Sequence, residues 1–196
     1  MIILASASPR RRELLEQIGC KFEVITSNAD EITDAGLEPH QLVVQNAHLK
    51  AAAVAAEHPE YPVLGSDTVV SLDGHIYGKP RDKEHAREML KAFSGRTHQV
   101  ITGIVLAWKG KFWQAWETTE VVFSPLSADQ IDAYIATGEP ADKAGAYAIQ
   151  GRAAVFVDGI RGSYSNVVGL PLHCLDGLAQ KAGIDLYDNG EGSSSR

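Results

Sequence analysis

Asp67 stands inside an apolar run, Val-Leu-Gly-Ser-Asp-Thr-Val-Val at 63–70. A carboxylate in such a strand is costly unless it is paired or holds a metal. Strand side chains alternate, so Asp67 shares a face with Gly65 and Val69. Gly65 is expected to leave room for a ligand there; the alternative is an aspartate at a strand edge, satisfied by a turn. Lys50 falls on the face of an Ala-rich helix that also carries Val43, Ala47 and Val54. It either snorkels to water or meets an acid or a phosphate. Ser8-Pro9-Arg10-Arg11-Arg12 marks a strand-to-helix junction. A helix N-terminus is the positive end of the dipole, so three arginines oppose it unless an anion sits among them. The competing account is a solvated basic turn that pairs with Glu13 and Glu16.

Four further places carry chemical groups. Glu31 is a second acid, and in Gly78-Lys79-Pro80-Arg81 the fixed backbone of Pro80 can aim Lys79, the alternative being an ordinary surface lysine beside a proline. Gln150 closes the small-residue run Ala-Gly-Ala-Tyr-Ala-Ile-Gln-Gly at 144–151. Its carboxamide can read a base edge by paired hydrogen bonds, unless the run is only a sheet corner. Gly-Ser-Tyr-Ser-Asn at 162–166 is either an anion or ribose loop or the start of a helix. Two acids among several cations suit one task. A metal held by carboxylates bridges phosphates, and lysines and arginines neutralise the rest. The residues alone therefore read as a metal-dependent phosphoanhydride enzyme.

The elements that position these groups follow from periodicity and punctuation. Strands are expected at 1–5, 22–25, 63–72, 76–77, 100–108, 112–123 and 153–157. Helices are expected at 9–18, at 39–58 before Pro59, at 82–93, from the Ser127 capping box to Gly138, and at 171–183. An acidic loop covers 27–36 and a polar tail covers 188–196. Helices alternate with hairpins, so the sheet is expected to be mixed and the class α/β. Residues 1–186 read as one domain, with a tail at 187–196.

The chain has 196 residues, 44% hydrophobic and 22% charged, which excludes a disordered, collagen-like or coiled-coil chain. The net charge of −7 provides no bulk basic field, so neither nucleic acid nor membrane is an expected partner. No apolar stretch approaches the length of a membrane span. The start shows no signal-peptide pattern, and Cys20 and Cys174 match no redox or zinc spacing. A cytoplasmic protein with reduced thiols is expected. Dinucleotide, Walker A, nucleophile-elbow and zincin motifs are all missing.

In order along the chain, several segments resemble the Maf family of nucleoside triphosphate pyrophosphatases. They are Leu-Ala-Ser-Ala-Ser-Pro-Arg-Arg, Asp-Glu at 30–31, Lys50-Ala, Gly-Ser-Asp-Thr-Val-Val, and Gly-Lys-Pro at 78–80. Ser-Gly-Arg-Thr-His-Gln-Val-Ile-Thr-Gly at 94–103, Asp-Lys-Ala-Gly-Ala-Tyr-Ala-Ile-Gln-Gly at 142–151 and Gly-Ser-Tyr-Ser-Asn-Val-Val-Gly-Leu-Pro-Leu follow. The resemblance implies an elongated, mixed twisted sheet of the inosine triphosphatase type, flanked by helices, with two lobes around a central cleft. It implies cleavage of a nucleoside triphosphate between the α and β phosphates, a divalent cation (Mg²⁺, Mn²⁺ or Co²⁺), and a homodimer as a common assembly. Carried over by motif, Ser8 and Arg11 bind the phosphate chain. Asp67 is the general base or a metal-associated carboxylate, with Glu31 as its acidic partner at the metal. Lys50 and Lys79 steady the triphosphate. Arg10, Thr68 and Gln150 fall at positions that separate two groups of the family, and these three residues match the group preferring dTTP and UTP over the 7-methyl-GTP group.

Two other readings compete. One is a regulatory binding protein in septum formation or cell-division arrest, an effect the family's name records. The other is a nucleic-acid binder, against which the charge counts. Trp108, Trp113 and Trp116, on one long hairpin, mark either a dimer face or core packing.

Overall fold

The computed structural model describes residues 1–33 and 36–187; the expected tail at 188–196 and two positions of the acidic loop lie outside them. The strands are β1 (Ile2–Leu4), β2 (Phe22–Val24), β3 (Val63–Leu72), β4 (His75–Tyr77), β5 (Thr97–Trp108), β6 (Lys111–Phe123) and β7 (Val157–Arg161). The helices are α1 (Pro9–Gln17), α2 (Pro39–Glu57), α3 (Lys83–Phe93), α4 (Ala128–Ala136), α5 (Tyr164–Val168) and α6 (Leu172–Ala182). The strands form one sheet in the order β2-β1-β3-β5-β6-β7, with β4 on β3. β1 runs parallel to β2 and β3, and the remaining pairings are antiparallel. The expected mixed sheet is present.

Helix ends follow local chemistry. Asp82 caps α3 by accepting the His85 amide, and Ser127 and Gln130 close a capping box on α4. Gly183 ends α6 in the left-handed region (φ 70°). Ser8 occupies the N-cap position of α1, but its side chain makes no capping bond.

Two expectations are corrected. The strand expected at 153–157 is a 3₁₀ turn, Arg152–Phe156, and β7 begins only at Val157. The turn expected at 109–111 is tighter: Trp108 pairs with Lys111, leaving Lys109 and Gly110, both at positive φ, as a two-residue loop.

Separate apolar cores support the two ends of the sheet. Leu14, Leu15, Leu106, Leu170, Leu175 and Leu178 gather beneath α1 and α6. Met89, Leu90, Phe93, Phe123, Ile131 and Ile135 gather around α3 and α4. Each such fully buried side chain contributes about 1.5–3 kcal/mol by leaving water. Trp113 packs against the first core, whereas Trp116 stays half-exposed beside His40, their rings 5.0 Å apart.

Helix α2 lies across β3 and β5 on two glycines. A Cβ at Gly65 would come 2.1 Å from the Ala47 carbonyl oxygen, and one at Gly103 would come 2.6 Å from the Val43 carbonyl carbon. The space beside Asp67 expected for a ligand is therefore filled by the helix. Gly65 serves that contact, and the contact brings Lys50 to Asp67.

The two cysteines are free. Cys20 is buried and Cys174 half-buried. Burial raises both thiols; for Cys174, with the hydrogen bond and charge of Glu117 adding to it, the pKa reaches about 11. Among the described residues no helix is long and apolar enough to cross a membrane.

Candidate active site

The seat of α2 on Gly65 and Gly103 fixes an acid–base cluster. The Lys50 ammonium lies 2.8 Å from Asp67 Oδ1 and 2.7 Å from Glu31 Oε1, and also donates to the Ser66 carbonyl at 3.4 Å. Lys50 and Asp67 are both deeply placed, with 12% of each side chain exposed, while Glu31 is half-exposed. Burial on its own would raise the Glu31 carboxyl. The hydrogen bond and charge of Lys50, with Lys79 and Arg11 farther off, outweigh it and hold the carboxyl below its usual range.

Asn46, one helical turn before Lys50, completes the cluster. Its Nδ2 donates to Asp67 Oδ2 (3.1 Å) and to the Ile32 carbonyl (3.0 Å), while its Oδ1 accepts the Ile32 amide (2.8 Å). One buried side chain thus ties the Glu31 segment to β3. Sequence reasoning missed it, although its i−4 spacing from Lys50 was a readable signal.

Arg11 is buried and spends its fork on the protein. Nε donates to the Gly169 carbonyl (2.8 Å), Nη1 to Ser6 Oγ (2.8 Å) and Nη2 to Thr68 Oγ1 (3.1 Å). Five donors minus these three leave two N–H groups for a ligand. Burial pulls its pKa down, against the upward pull of Asp67 and Glu31. Thr68 continues to Thr102 Oγ1 at 2.9 Å, and Thr102 donates to the Asn166 carbonyl at 3.0 Å. Since the Asn166 carbonyl can only accept, Thr102 spends its one proton there and accepts from Thr68, so the chain runs in one direction: Arg11 to Thr68, to Thr102, to Asn166. The Ser163 side chain caps α5 by accepting the Asn166 amide, so 162–166 is the start of a helix. Among the described residues no ion pair joins Arg10, Arg11 or Arg12 to Glu13 or Glu16.

These groups line one cleft of about 820 Å³. Ser8, Arg10 and Arg11 come from the β1–α1 junction, Glu31 from the loop before α2, and Lys50 from α2. Asp67 and Thr68 come from β3, Lys79 follows β4, and Gln150 stands on the far wall. Arg12 and residues 162–166, also singled out from sequence, do not line it. Ser8 Oγ has no hydrogen-bond partner among the described residues, and Lys79 is exposed. Arg10 Nη1 donates to Gln150 Oε1 at 2.7 Å across the mouth. Asp142 and Lys143, an ion pair not assigned from sequence, also face the cleft. Such a site can hold a chain of phosphates among cations, with a carboxylate ready to take a proton from water.

The description "Maf-like protein" belongs to the family model that matches residues 1–182. A dTTP/UTP pyrophosphatase of Symbiobacterium thermophilum is 48% identical over 191 residues, covering 97% of this chain and 98% of its own. One from Bacillus cytotoxicus is 51% identical over 170 residues, covering 87% and 89%. Among solved structures, the Ham1 protein of Staphylococcus aureus superposes with a TM-score of 0.55 at 14% identity, over 92% of this chain and 98% of that one. That likeness is one of fold.

Proposed function

The chain belongs to the Maf family, and from that we propose that it hydrolyses dTTP, UTP and related pyrimidine triphosphates to the monophosphate and pyrophosphate. The observation that carries this reading is the Glu31–Lys50–Asp67 cluster, set in a cleft whose other walls bear Ser8, Arg10, Arg11 and Lys79. Two acids joined by an ammonium and faced by further cations suit a triphosphate and a water nucleophile. Simple binding of an anion has no use for the acids.

Asp67 accepts the proton of the attacking water. Its oxygens already take Lys50 and Asn46, and a carboxylate has lone pairs to spare. Water oxygen bonds to the α-phosphorus as the bond to the bridging oxygen breaks, and pyrophosphate leaves with that oxygen. Lys50 and Lys79, with the two spare N–H groups of Arg11, neutralise the charge that develops. The Ser8 hydroxyl, unbound within the protein, donates to a phosphate oxygen.

A divalent cation fits part of this donor set. Asp67 and Glu31 are hard oxygen ligands of the kind Mg²⁺ or Mn²⁺ takes. Among the described residues no group of three or more His, Cys, Asp and Glu could hold one alone. The two carboxylates therefore suit a cation whose other ligands are substrate phosphates and water. Bound so, it would polarise the phosphates under attack.

Pyrophosphate release from dTTP, UTP, CTP, GTP and 7-methyl-GTP, with Mg²⁺ or Mn²⁺, tests the reading. Turnover of dTTP and UTP that is lost in Asp67→Asn is expected. Preference for 7-methyl-GTP would overturn the substrate assignment drawn from Arg10, Thr68 and Gln150. Absence of turnover on every nucleotide by folded protein would favour the regulatory binding role.

A further inference from the structure

A carboxylate outside the cleft holds the turn that follows Gln150. Glu139, in the 3₁₀ turn after α4, accepts the Tyr134 hydroxyl at 2.9 Å and the Arg152 amide at 3.0 and 3.1 Å through its two oxygens. Tyr134 is itself buried on α4, edge-on to Phe156 with ring centroids 5.2 Å apart. Gly151 makes the approach possible, because a Cβ there would fall 2.2 Å from Glu139 Oε1. The backbone at Gly151 is ordinary (φ −101°), so the requirement is for space and not for a special conformation. Gln150 is the residue before Gly151, and its Oε1 takes the Arg10 guanidinium. Glu139 does not line the cleft.

We propose that Glu139 is a positioning residue for nucleobase selection, acting through Gln150. The proposal rests on Gln150 reading the base in the pyrophosphatase proposed above. A carboxamide discriminates between bases only if its donor and acceptor ends are held in place, to roughly 0.5 Å. Gln150 sits on a turn with no strand or α-helix to hold it, so the neighbouring clamp supplies the rigidity. Both groups that Glu139 accepts are donors. Oε1 alone serves both, so Glu139→Ala, which removes the shared acceptor, releases the turn where a glutamine could keep it. Gly151→Ala attacks the same contact from the other side and leaves Glu139 intact.

The test compares kcat and KM of the metal-supplied enzyme on dTTP, UTP, CTP and GTP for wild type, Glu139→Ala, Gly151→Ala, Gln150→Ala and the double variant Glu139→Ala/Gln150→Ala. Thermal unfolding shows that each is folded. In Glu139→Ala and Gly151→Ala the preference for dTTP over CTP falls about tenfold, a change of about 1.4 kcal/mol. The loss lies in KM for dTTP, with kcat within about threefold. The double variant is no less selective than Gln150→Ala. Lowered unfolding temperature with selectivity intact would overturn the proposal, as would additive losses in the double variant. Should wild type cleave none of these nucleotides, the pyrophosphatase reading fails by itself. Equilibrium binding of the same four nucleotides then decides the clamp, whose loss must flatten whatever preference wild type shows.

Discussion

Lys50 reaches Asp67 at 2.8 Å because the helix that carries it rests on a glycine two residues before that aspartate in β3. The ammonium holds two carboxylates at once. Replacing it with Lys50→Met leaves Asp67 with Asn46 alone and removes a cation from the phosphate path. A loss of about 100- to 1,000-fold in kcat/KM is expected, measured by pyrophosphate release, together with a lower unfolding temperature. Retention of near wild-type turnover would remove Lys50 from the reaction.

Chelation separates catalysis from folding. Lys50 already bridges Asp67 and Glu31, leaving one net negative charge, so no metal is needed to hold them together. Treatment with EDTA should abolish turnover and leave the thermal unfolding midpoint where it was. A large fall in that midpoint would mean that a metal supports the fold.

Gly65→Ala tests the seat of α2. The new Cβ has the Ala47 carbonyl oxygen at 2.1 Å, and backbone cannot move aside cheaply. Overpacking of this kind costs on the order of 1–3 kcal/mol. A fall in denaturant midpoint and a loss of turnover should appear together, since displacing α2 displaces Lys50. Unchanged stability would show that the helix does not rest there.

Thr68 is the relay between Arg11 and Thr102. Thr68→Val leaves the Arg11 N–H without its acceptor, at a cost of about 1–3 kcal/mol, read as a lower urea midpoint. Thr68→Ser keeps the hydroxyl and should restore most of the loss. Equal losses in both variants would assign the effect to packing by the Thr68 methyl.

His98 makes stability depend on acid. Burial lowers its pKa from 6.5 to about 4. Between those values the unfolded chain takes up a proton that the folded chain does not. Stability therefore falls as pH drops through 6.5 and stops falling near 4, by roughly 3 kcal/mol at most. Urea midpoints at pH 7 and pH 4.5 should differ more for wild type than for His98→Gln, whose side chain does not titrate. Equal differences would relieve His98 of this role.

Much of this arrangement was legible in the residues. β3 and α2 fall within a residue of their expected bounds because Pro39, Pro59 and Asp73-Gly74 mark their ends. Apolar periodicity starts β5 only at Val100, because Thr97-His98-Gln99 is polar, yet all three residues pair with β6. The strand expected at 153–157 failed for another reason. Ala-Ala-Val-Phe reads as strand locally, but Val155 is 80% exposed, and the backbone just before it is taken by Glu139. No window of sequence contains that contact. α5, with five residues, is too short for a periodicity to show. At the site, residue types alone brought out the acids and cations, since a charge in an apolar run is conspicuous. Asn46 was less so: its spacing from Lys50 is a signal only once Lys50 is placed, and its three hydrogen bonds go to Ile32 and Asp67 in other parts of the chain. Gly65 was read as an opening for a ligand because the helix that fills the space comes from another part of the chain.

The state of the two thiols bears on how movement in this molecule can be observed. Cys20 and Cys174 remain protonated at neutral pH, and a thiol in that form alkylates slowly. Spectroscopic labels on cysteines introduced at exposed points of α1 and α3 would then report the distance between those two helices, with the natural sulfurs left in place as silent bystanders.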